Sequence, residues 1–357
     1  MNYYEKFLCE IKKSIPAWLS TVETNALVFK MSKNACDSTL LDATSLAYDL
    51  RTMLNIDFSE DDKDKAKEIL DSYQILDNGF FAEKDYELRF IDSRIERVIE
   101  MHANYLTFQT LGAYKAIGRL PDKKITFYDR FIEDKGIKNY LTNNCPWEKS
   151  PWGAGGMVDN LGTILDCNIR MGFTEYQVVL SDVFEWLDEN QSDIHGLWGN
   201  IDSQGINGLI NGGYHLMRGT YFLQNRQFNF HEKIIDAILK DLIENDIFTS
   251  KEAHGCQDLD HFYLLEQCVK VDNAYRTDEI HIICRKRLGE IENIVYCGDG
   301  GFSFEARNAA KNHNYYDISP GIKESDMQGT VFYLQSVISI LNILGIKHEF
   351  KYSTTHG

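Results

Sequence analysis

The apolar positions of this chain recur with helical spacing, and the helical segments fall into two alternating kinds. Segments of the first kind carry an apolar stripe and many charges, and those of the second kind carry few charges. An amphipathic helix followed by a more apolar one predicts a pair whose second member is buried on most sides. The clearest charged segments are DDKDKAKEILDSYQ (61–74), YQVVLSDVFEWLDENQ (176–191), HEKIIDAILKDLIEND (231–246) and EIHIICRKRLGEIEN (279–293).

The apolar segments of the second kind number six, and they follow one another at intervals of roughly 50 to 65 residues, which fits one helix pair per repeat. Six pairs predict an all-α fold, an (α/α)6 toroid with a central cavity that forms a single domain over residues 1–357. The repeat is clearest from about residue 66 onward. An open helical solenoid has the same periodicity and is the competing architecture. The six segments are 37–54, 102–118, 153–172, 210–225, 258–271 and 325–345.

In a closed toroid the inner helices begin at one rim of the cavity, so the residues at their starts converge although they lie far apart in sequence. Five of these starts are polar and aromatic, which predicts a ligand pocket. Their residues are His102, Tyr105, Trp152, Asp159, Asn160, Asn211, Tyr214, His215, Asp258, Asp260, His261, Asp326 and Gln328.

Charge and composition narrow the class of partner. A formal net charge of −17 argues against a nucleic acid or an anionic membrane surface, since both require clustered basic residues. Every long apolar run is interrupted by polar residues, so no transmembrane segment is expected. Eight scattered cysteines without CxxC pairs favour reduced thiols in a cytoplasmic protein. Nothing in the sequence sets the oligomeric state.

Two loops carry a resemblance to a known family. FEWLDENQSDIHGLWG (184–199) and CGDGGFSFE (297–305) resemble the repeat of the terpenoid cyclase and protein prenyltransferase superfamily, in which a W-L-x-x-x-Q helix end precedes a glycine-rich turn. SYQILDNGFFAE (72–83) is a weaker copy. Glycines and an aromatic residue in such loops favour a structural role, which is to join successive helix pairs. The matching residues of the first loop are Trp186, Leu187, Gln191, Gly196, Trp198 and Gly199.

The same resemblance extends to the stretch DLDH (258–261). Cyclases of that superfamily that begin by protonation use a D-x-D-D motif, and DLDH is similar, with histidine in place of the last aspartate. The resemblance implies that Asp260 is the proton donor and that Asp258 and His261 are its partners. It implies a class II-type cyclase that acts on an isoprenoid or meroterpenoid, a small hydrophobic substrate, without a metal or other cofactor.

The chemistry of alkene protonation is consistent with these residues. The acid must stay neutral until it meets the substrate, and burial beside a second carboxylate raises its pKa. Aromatic faces then stabilise the cation. The residues expected to contact the substrate are Tyr105, Trp152, Asp159, Asn211, Tyr214, His215, Arg218, Phe262 and Asp326.

Glycan chemistry is the alternative, because (α/α) toroids also host polysaccharide lyases and glycoside hydrolases. A lyase would use Asn211, Tyr214, His215 and Arg218. A hydrolase would pair Asp258 or Asp260 with Asp299 or Glu305. Stacking platforms would be Trp147, Trp152 and Trp198.

Metal sites and a binding role without catalysis complete the alternatives. The zinc set of prenyltransferases is not reproduced, although His254, Cys256 and His261 lie close enough in sequence to leave a metal open. The acidic cluster EDDKDK (60–65) lies at the start of a charged helix, where carboxylates complement the helix dipole, and NDIFTSKE (245–252) only nearly matches a second Mg²⁺-binding motif and lies in a predicted loop. Neither is expected to bind Mg²⁺ for a diphosphate. A binding module that catalyses nothing also stays open.

Overall fold

The structure is a computed structural model that describes residues 3–84, 96–134, 136–244, 255–306, 308–313 and 316–355. Within these residues the chain is mostly helical, which confirms the all-α prediction. Two short antiparallel strand pairs, Glu23–Asn25 with Val28–Phe29 and Asn312–His313 with Tyr316–Asp317, complete it. The helices are α1 (Tyr3–Val22), α2 (Leu40–Met53), α3 (Glu60–Asp71), α4 (Glu96–Ala116), α5 (Arg130–Asp134), α6 (Ile137–Asn143), α7 (Pro151–Arg170), α8 (Tyr176–Asn190), α9 (Ile201–Met217), α10 (His231–Glu244), α11 (Gly255–Val271), α12 (Thr277–Ile294) and α13 (Met327–Ile343).

The six apolar segments of the sequence correspond to α2, α4, α7, α9, α11 and α13, and each of these helices packs against two others of the set. Helix α2 contacts α4 and α13, α7 contacts α4 and α9, and α11 contacts α9 and α13. The charged helices pack on them in turn: α3 on α4, α8 on α7, α10 on α9 and α11, and α12 on α13. Helix α13 is buried along nearly all its length, whereas α3 buries only Ala66 and Leu70. The contrast between the two kinds of segment is therefore a contrast in burial.

Helices α7 and α9 approach each other through glycine. A side chain at Gly155 would overlap the backbone of Gly212, and one at Gly162 would overlap the backbone of Gly219, just beyond the end of α9. Backbones can come this close only where neither helix carries a Cβ at the contact. The close approach sets the distance between two helices that both contribute to the candidate site.

A glutamine that follows a charged helix bonds to two loops at each of two places in the chain, which agrees with the structural role predicted for the repeat loops. The Gln191 amide donates to the carbonyl oxygens of Gly196 at 2.8 Å and Asn229 at 3.1 Å. In the weaker copy, the Gln74 amide donates to the carbonyls of Gly79 at 2.9 Å and Lys123 at 2.8 Å. Both glutamines thus tie their own turn to the loop before the next charged helix, which confirms the structural role of these motifs.

The segment that follows α13 returns across the far ends of the apolar helices. Asp49 of α2 accepts hydrogen bonds from the Ser353 hydroxyl at 2.5 Å and from the Thr354 backbone N–H at 2.6 Å. The Thr354 hydroxyl also donates to the Gly112 carbonyl of α4 at 2.8 Å, and the Ser353 N–H donates to Gln335 of α13 at 2.8 Å. Residues 353–354 therefore join three of the apolar helices.

All eight cysteines are free thiols, as the sequence predicts. Within the described residues, no helix combines the length and the apolar character needed to cross a bilayer.

The glycine contact between α7 and α9 leads to a stability prediction with a control one residue away. We expect Gly155→Ala to lower the free energy of unfolding by about 1–3 kcal/mol, because the new Cβ overlaps the Gly212 backbone. Gly156→Ala meets nothing within 4 Å and should leave stability unchanged or raise it by about 0.5–1 kcal/mol. Urea unfolding of both variants measures the difference, and equal stabilities would contradict the close contact.

Candidate functional site

A cavity of about 260 Å³ lies among the apolar helices, and residues from α4, α7, α9, α11 and α13 reach it. Its wall is largely aromatic and apolar, with a small polar group on one side. This is the convergence that the inner-helix starts predict, with only part of the predicted set present. The lining residues are Tyr105, Phe108, Gln109, Trp152, Tyr214, His215, Arg218, Cys256, Leu259, Asp260 and Phe332.

Asp260 of α11 is the acid on this wall. It is 1% exposed, and its Oδ2 has no hydrogen-bond partner among the described residues. Burial raises the pKa of its carboxyl well above the ordinary value; Arg218 opposes that shift and Asp159 adds to it. The raised pKa favours the neutral, protonated form of this carboxyl relative to an exposed aspartate.

Arg218 supplies the positive charge beside the cavity, and its partners are fixed. Its guanidinium forms a buried ion pair with Asp159 of α7 and donates from Nη1 to the Tyr214 hydroxyl at 2.9 Å. It also lies over the Phe108 ring, 4.2 Å from the ring centre. Arg218 begins a π-helical turn, Arg218–Phe222, and Gly219 in that turn lets the backbone approach Asp159. The glycine contact thus brings the two charges together.

His215 lies between the two carboxylates. Its Nδ1 is 3.2 Å from Asp159 Oδ2 and 3.2 Å from Arg218 Nη2, and its Nε2 is 3.8 Å from Asp260 Oδ2. Its side chain is 20% exposed, and desolvation lowers the pKa of the imidazole. The lowered pKa favours the neutral imidazole, which lies beside the ion pair of Asp159 with Arg218.

No protein-family model, curated protein or solved structure matches this chain. The geometry of the site itself is accordingly the basis for any functional assignment.

Asp258 and His261 do not join Asp260, which corrects the grouping that the DLDH stretch suggests. Asp258 forms a buried ion pair with Arg287 of α12, with Nε 2.7 Å from Oδ1. The His261 imidazole contacts Asp241 of α10 at 2.8 Å and donates from Nδ1 to the Gln257 carbonyl at 2.7 Å. Successive helix residues point about 100° apart. The three side chains therefore face α12, the cavity and α10, respectively.

Four residues of the predicted substrate set are not among those lining the cavity: Asp159, which reaches the site through its ion pair with Arg218, and Asn211, Phe262 and Asp326. The Asn211 amide donates to Asn207 Oδ1 at 2.9 Å, and Asn207 in turn donates to Asp241. Phe262 is fully buried in the hydrophobic core. Asp326 caps α13: it accepts from the backbone N–H of Gly329 and that of Phe304, and burial raises its pKa to about 7. The places of these last three are structural ones between helices and loops.

Other lining residues were not in the predicted substrate set, although helical spacing could have found them. Gln109 lies one turn after Tyr105 and donates to its hydroxyl at 3.2 Å. Cys256 lies one turn before Asp260, and Leu259 is its neighbour on α11. Residues one turn apart share a helix face, so a residue that faces the cavity implicates its neighbours at i±3 and i±4.

The residues predicted to form a glycan-binding cleft lie in separate parts of the structure. Trp152 lines the aromatic cavity, whereas Trp147 and Trp198 border a separate surface cleft of about 670 Å³. Both are buried there, with their indole N–H groups bonded to the carbonyls of Leu141 and Leu187 at 2.8 Å. Asp299 accepts hydrogen bonds from Ser325, in a loop contact. Glu305 is likewise not among the residues lining the cavity around Asp260.

Metal ligands are not gathered at the cavity in the described part of the chain. Asp241 and the Gln257 carbonyl occupy both ring nitrogens of His261. His261 therefore does not join Cys256 as a metal ligand. His254 and the acidic stretch 245–252 lie outside the described residues. At the surface, His231, Glu232 and Asp272 place ligand atoms within 4.8 Å of one another.

Asp42 of α2 is a second buried carboxyl near the site. It is 3% exposed, its Oδ1 has no hydrogen-bond partner among the described residues, and burial raises its pKa to about 7. Burial and then the charge of Asp42 raise the pKa of Tyr105, which lines the cavity. Asp42 itself is not among the lining residues.

Asp42 therefore gives the protein a defined pH dependence. Its pKa is about 7 in the folded state and 3.8 ordinarily, so between these values the folded state holds a proton that the unfolded state has released. Its contribution to stability is present at low pH and is lost as the pH rises through about 7. Asp42→Asn cannot ionise and should avoid that loss.

We expect Asp42→Asn to gain stability relative to the native protein between about pH 5 and about pH 8, as measured by urea unfolding at both values. A difference between the two proteins that stays the same at both values would show that the Asp42 carboxyl titrates normally in the fold.

Proposed function

We propose that the protein is a protonation-initiated cyclase, with Asp260 as the general acid in the central cavity of an (α/α)6 toroid. The order of helix contacts supports the toroid. Helices α2, α4, α7, α9, α11 and α13 contact one another in sequence order, and α13 contacts α2, so the series returns to its first member. An open solenoid does not bring its first and last repeats together.

The unpaired Oδ2 of Asp260 is the observation on which the catalytic proposal depends. A buried polar atom without a partner costs free energy, so proteins seldom leave one except where a ligand or a reaction uses it. Asp260 lines the aromatic cavity, its Oδ2 lies 3.8 Å from His215 Nε2, and burial raises the pKa of its carboxyl, which favours the protonated form. Such a group can deliver a proton to a carbon–carbon double bond.

The remaining wall suits the cation that protonation forms. Tyr105, Phe108, Trp152, Tyr214 and Phe332 present aromatic rings around the cavity, and aromatic faces attract cations in a desolvated site. The polar side adds no net positive charge, because Asp159 balances Arg218. When Asp260 gives up its proton, its own carboxylate becomes the counter-ion of the new cation.

His215 completes the proton balance. In the tautomer that carries its proton on Nδ1, this N–H donates to Asp159 and Nε2 carries a lone pair on the side of Asp260. In our proposal Nε2 removes a proton from the carbon next to the cationic centre, which forms the new double bond, and then returns that proton to the Asp260 carboxylate. Atoms and charge balance within the site, so the reaction is an isomerisation.

Glycan cleavage is the second candidate, because Tyr214, His215 and Arg218 line one cavity, as a polysaccharide lyase would require. In that reaction a free arginine would neutralise the substrate carboxylate. Arg218 already pairs with Asp159 and binds the Tyr214 hydroxyl. The neutral, aromatic cavity therefore supports the cyclase more strongly.

The proposed acid can be tested by a near-isosteric change. Asp260→Asn has no acidic proton, and we expect cyclisation to fall by a factor of about 10²–10⁴. The assay incubates the protein with polyprenyl substrates and separates products by retention time, because cyclisation conserves mass. Asp42→Asn, another buried carboxyl with a raised pKa, is the matched control and should keep the native rate.

Anionic oligosaccharides form the second arm of the same assay. Chain cleavage with formation of an unsaturated product, and no change in the polyprenyl substrates, would contradict the cyclase and support the lyase. Full cyclisation by Asp260→Asn would reject Asp260 as the acid.

His215 has a distinct expected signature. In His215→Gln the cation lacks its base, so we expect turnover to fall about 100-fold and part of the product to carry an added water, visible by mass. KM should change little, since the side chain keeps a similar size. Native turnover with an unchanged product would show that another group removes the proton.

A further inference from the structure

Phe108 separates the aromatic cavity from a second, smaller space. The second space has a volume of about 30 Å³, room for only a water molecule or two. Phe108 and Arg218 line both cavities, so these two side chains form the partition between them. Residues 354 and 355 close part of the second space on its other side.

The partition is held rigidly from the Arg218 side. The guanidinium lies 4.2 Å from the centre of the Phe108 ring, and its ion pair with Asp159 and hydrogen bond to Tyr214 prevent it from moving aside. Phe108 itself is buried. A ligand in the aromatic cavity therefore meets an aromatic floor backed by a fixed charge.

We propose that Phe108 sets the length of the apolar chain that the aromatic cavity accepts. The inference rests on the proposed function only in taking the ligand to be a hydrocarbon chain. A cavity of about 260 Å³ lies below the usual range of about 300–1,000 Å³ for ligand sites, which favours a short chain. A longer one would need the space that Phe108 occupies.

The second space beyond Phe108 has both apolar and charged lining residues. Its lining includes Leu111, Leu120 and Leu223 together with the charged residues Lys115, Asp166 and Arg170. Loss of the Phe108 ring would open the aromatic cavity into this space. The charged residues and the segment at 354–355 would limit how far a chain could reach.

The test measures binding of saturated straight-chain alcohols, octanol, decanol, dodecanol and tetradecanol, by isothermal titration calorimetry. Each additional buried CH₂ should raise affinity about fourfold. For the native protein we expect this rise to stop once the chain reaches Phe108. For Phe108→Ala it should continue to longer alcohols.

Leu223→Ala is the matched control, because Leu223 lines the second space and is absent from the lining of the aromatic cavity, so Phe108 stays in place between them. It should leave the position of the break unchanged. Thermal unfolding checks that each variant folds, and Phe108→Leu provides a milder change with a smaller shift of the break in the same direction. An affinity that rises without a break in the native protein, or a break at the same length in both Phe108 variants, would overturn the proposal.

Saturated alcohols contain no double bond to protonate, so these titrations are independent of Asp260. If affinity shows the break but the protein cyclises no substrate, Phe108 still limits the chain length and the proposed reaction is wrong. If the protein cyclises polyprenyl substrates and affinity shows no break, the reverse holds.

Discussion

The buried ion pair between Asp159 and Arg218 is the interaction on which the candidate site depends. Two charges removed from water must satisfy each other almost completely, and here the guanidinium also binds Tyr214 and stacks on Phe108. Asp159 offsets the positive charge of Arg218, which by itself would lower the pKa of Asp260 further. The pair also places Asp159 against the Nδ1 side of His215. One interaction thus contacts His215 and Phe108 and influences the pKa of Asp260.

The ion pair depends in turn on the backbone. Arg218 begins a π-helical turn, and Gly219 brings that turn against α7 at Asp159. A regular helix would rotate the residues after Met217 by a fixed 100° per residue, and a larger side chain at 219 would hold the two helices apart. The site therefore requires an irregular turn at the point where two apolar helices meet.

The repeat of charged and apolar helices could be predicted from the sequence because the two kinds of segment differ in composition along their whole length. Two loop glutamines, Gln74 and Gln191, could also be assigned a structural role, since their glycine-rich surroundings repeat. The convergence of Tyr105, Trp152, Tyr214 and Asp260 followed from the expectation that apolar helices share one rim.

The grouping of Asp258, Asp260 and His261 could not be predicted, because it depends on which helix faces each side chain. Neighbours in sequence point to different sides of α11, and their partners Arg287 and Asp241 lie about 20 to 30 residues away, in α12 and α10. The resemblance to the D-x-D-D motif gave the right residue for the cavity wall without its surroundings. Asp260 stands out in the structure by its burial and its unpaired oxygen.

The segment at 353–354 connects parts of the fold that lie far apart in the sequence. Asp49 receives its hydrogen bonds from residues more than 300 positions later in the chain, so they join segments that are far apart in sequence. Burial raises the pKa of the Asp49 carboxyl, because dehydration disfavours its charged form. The hydrogen bonds from Ser353 and Thr354 oppose that shift. Two small hydroxyl residues thus connect α2, α4 and α13 at a distance from the aromatic cavity.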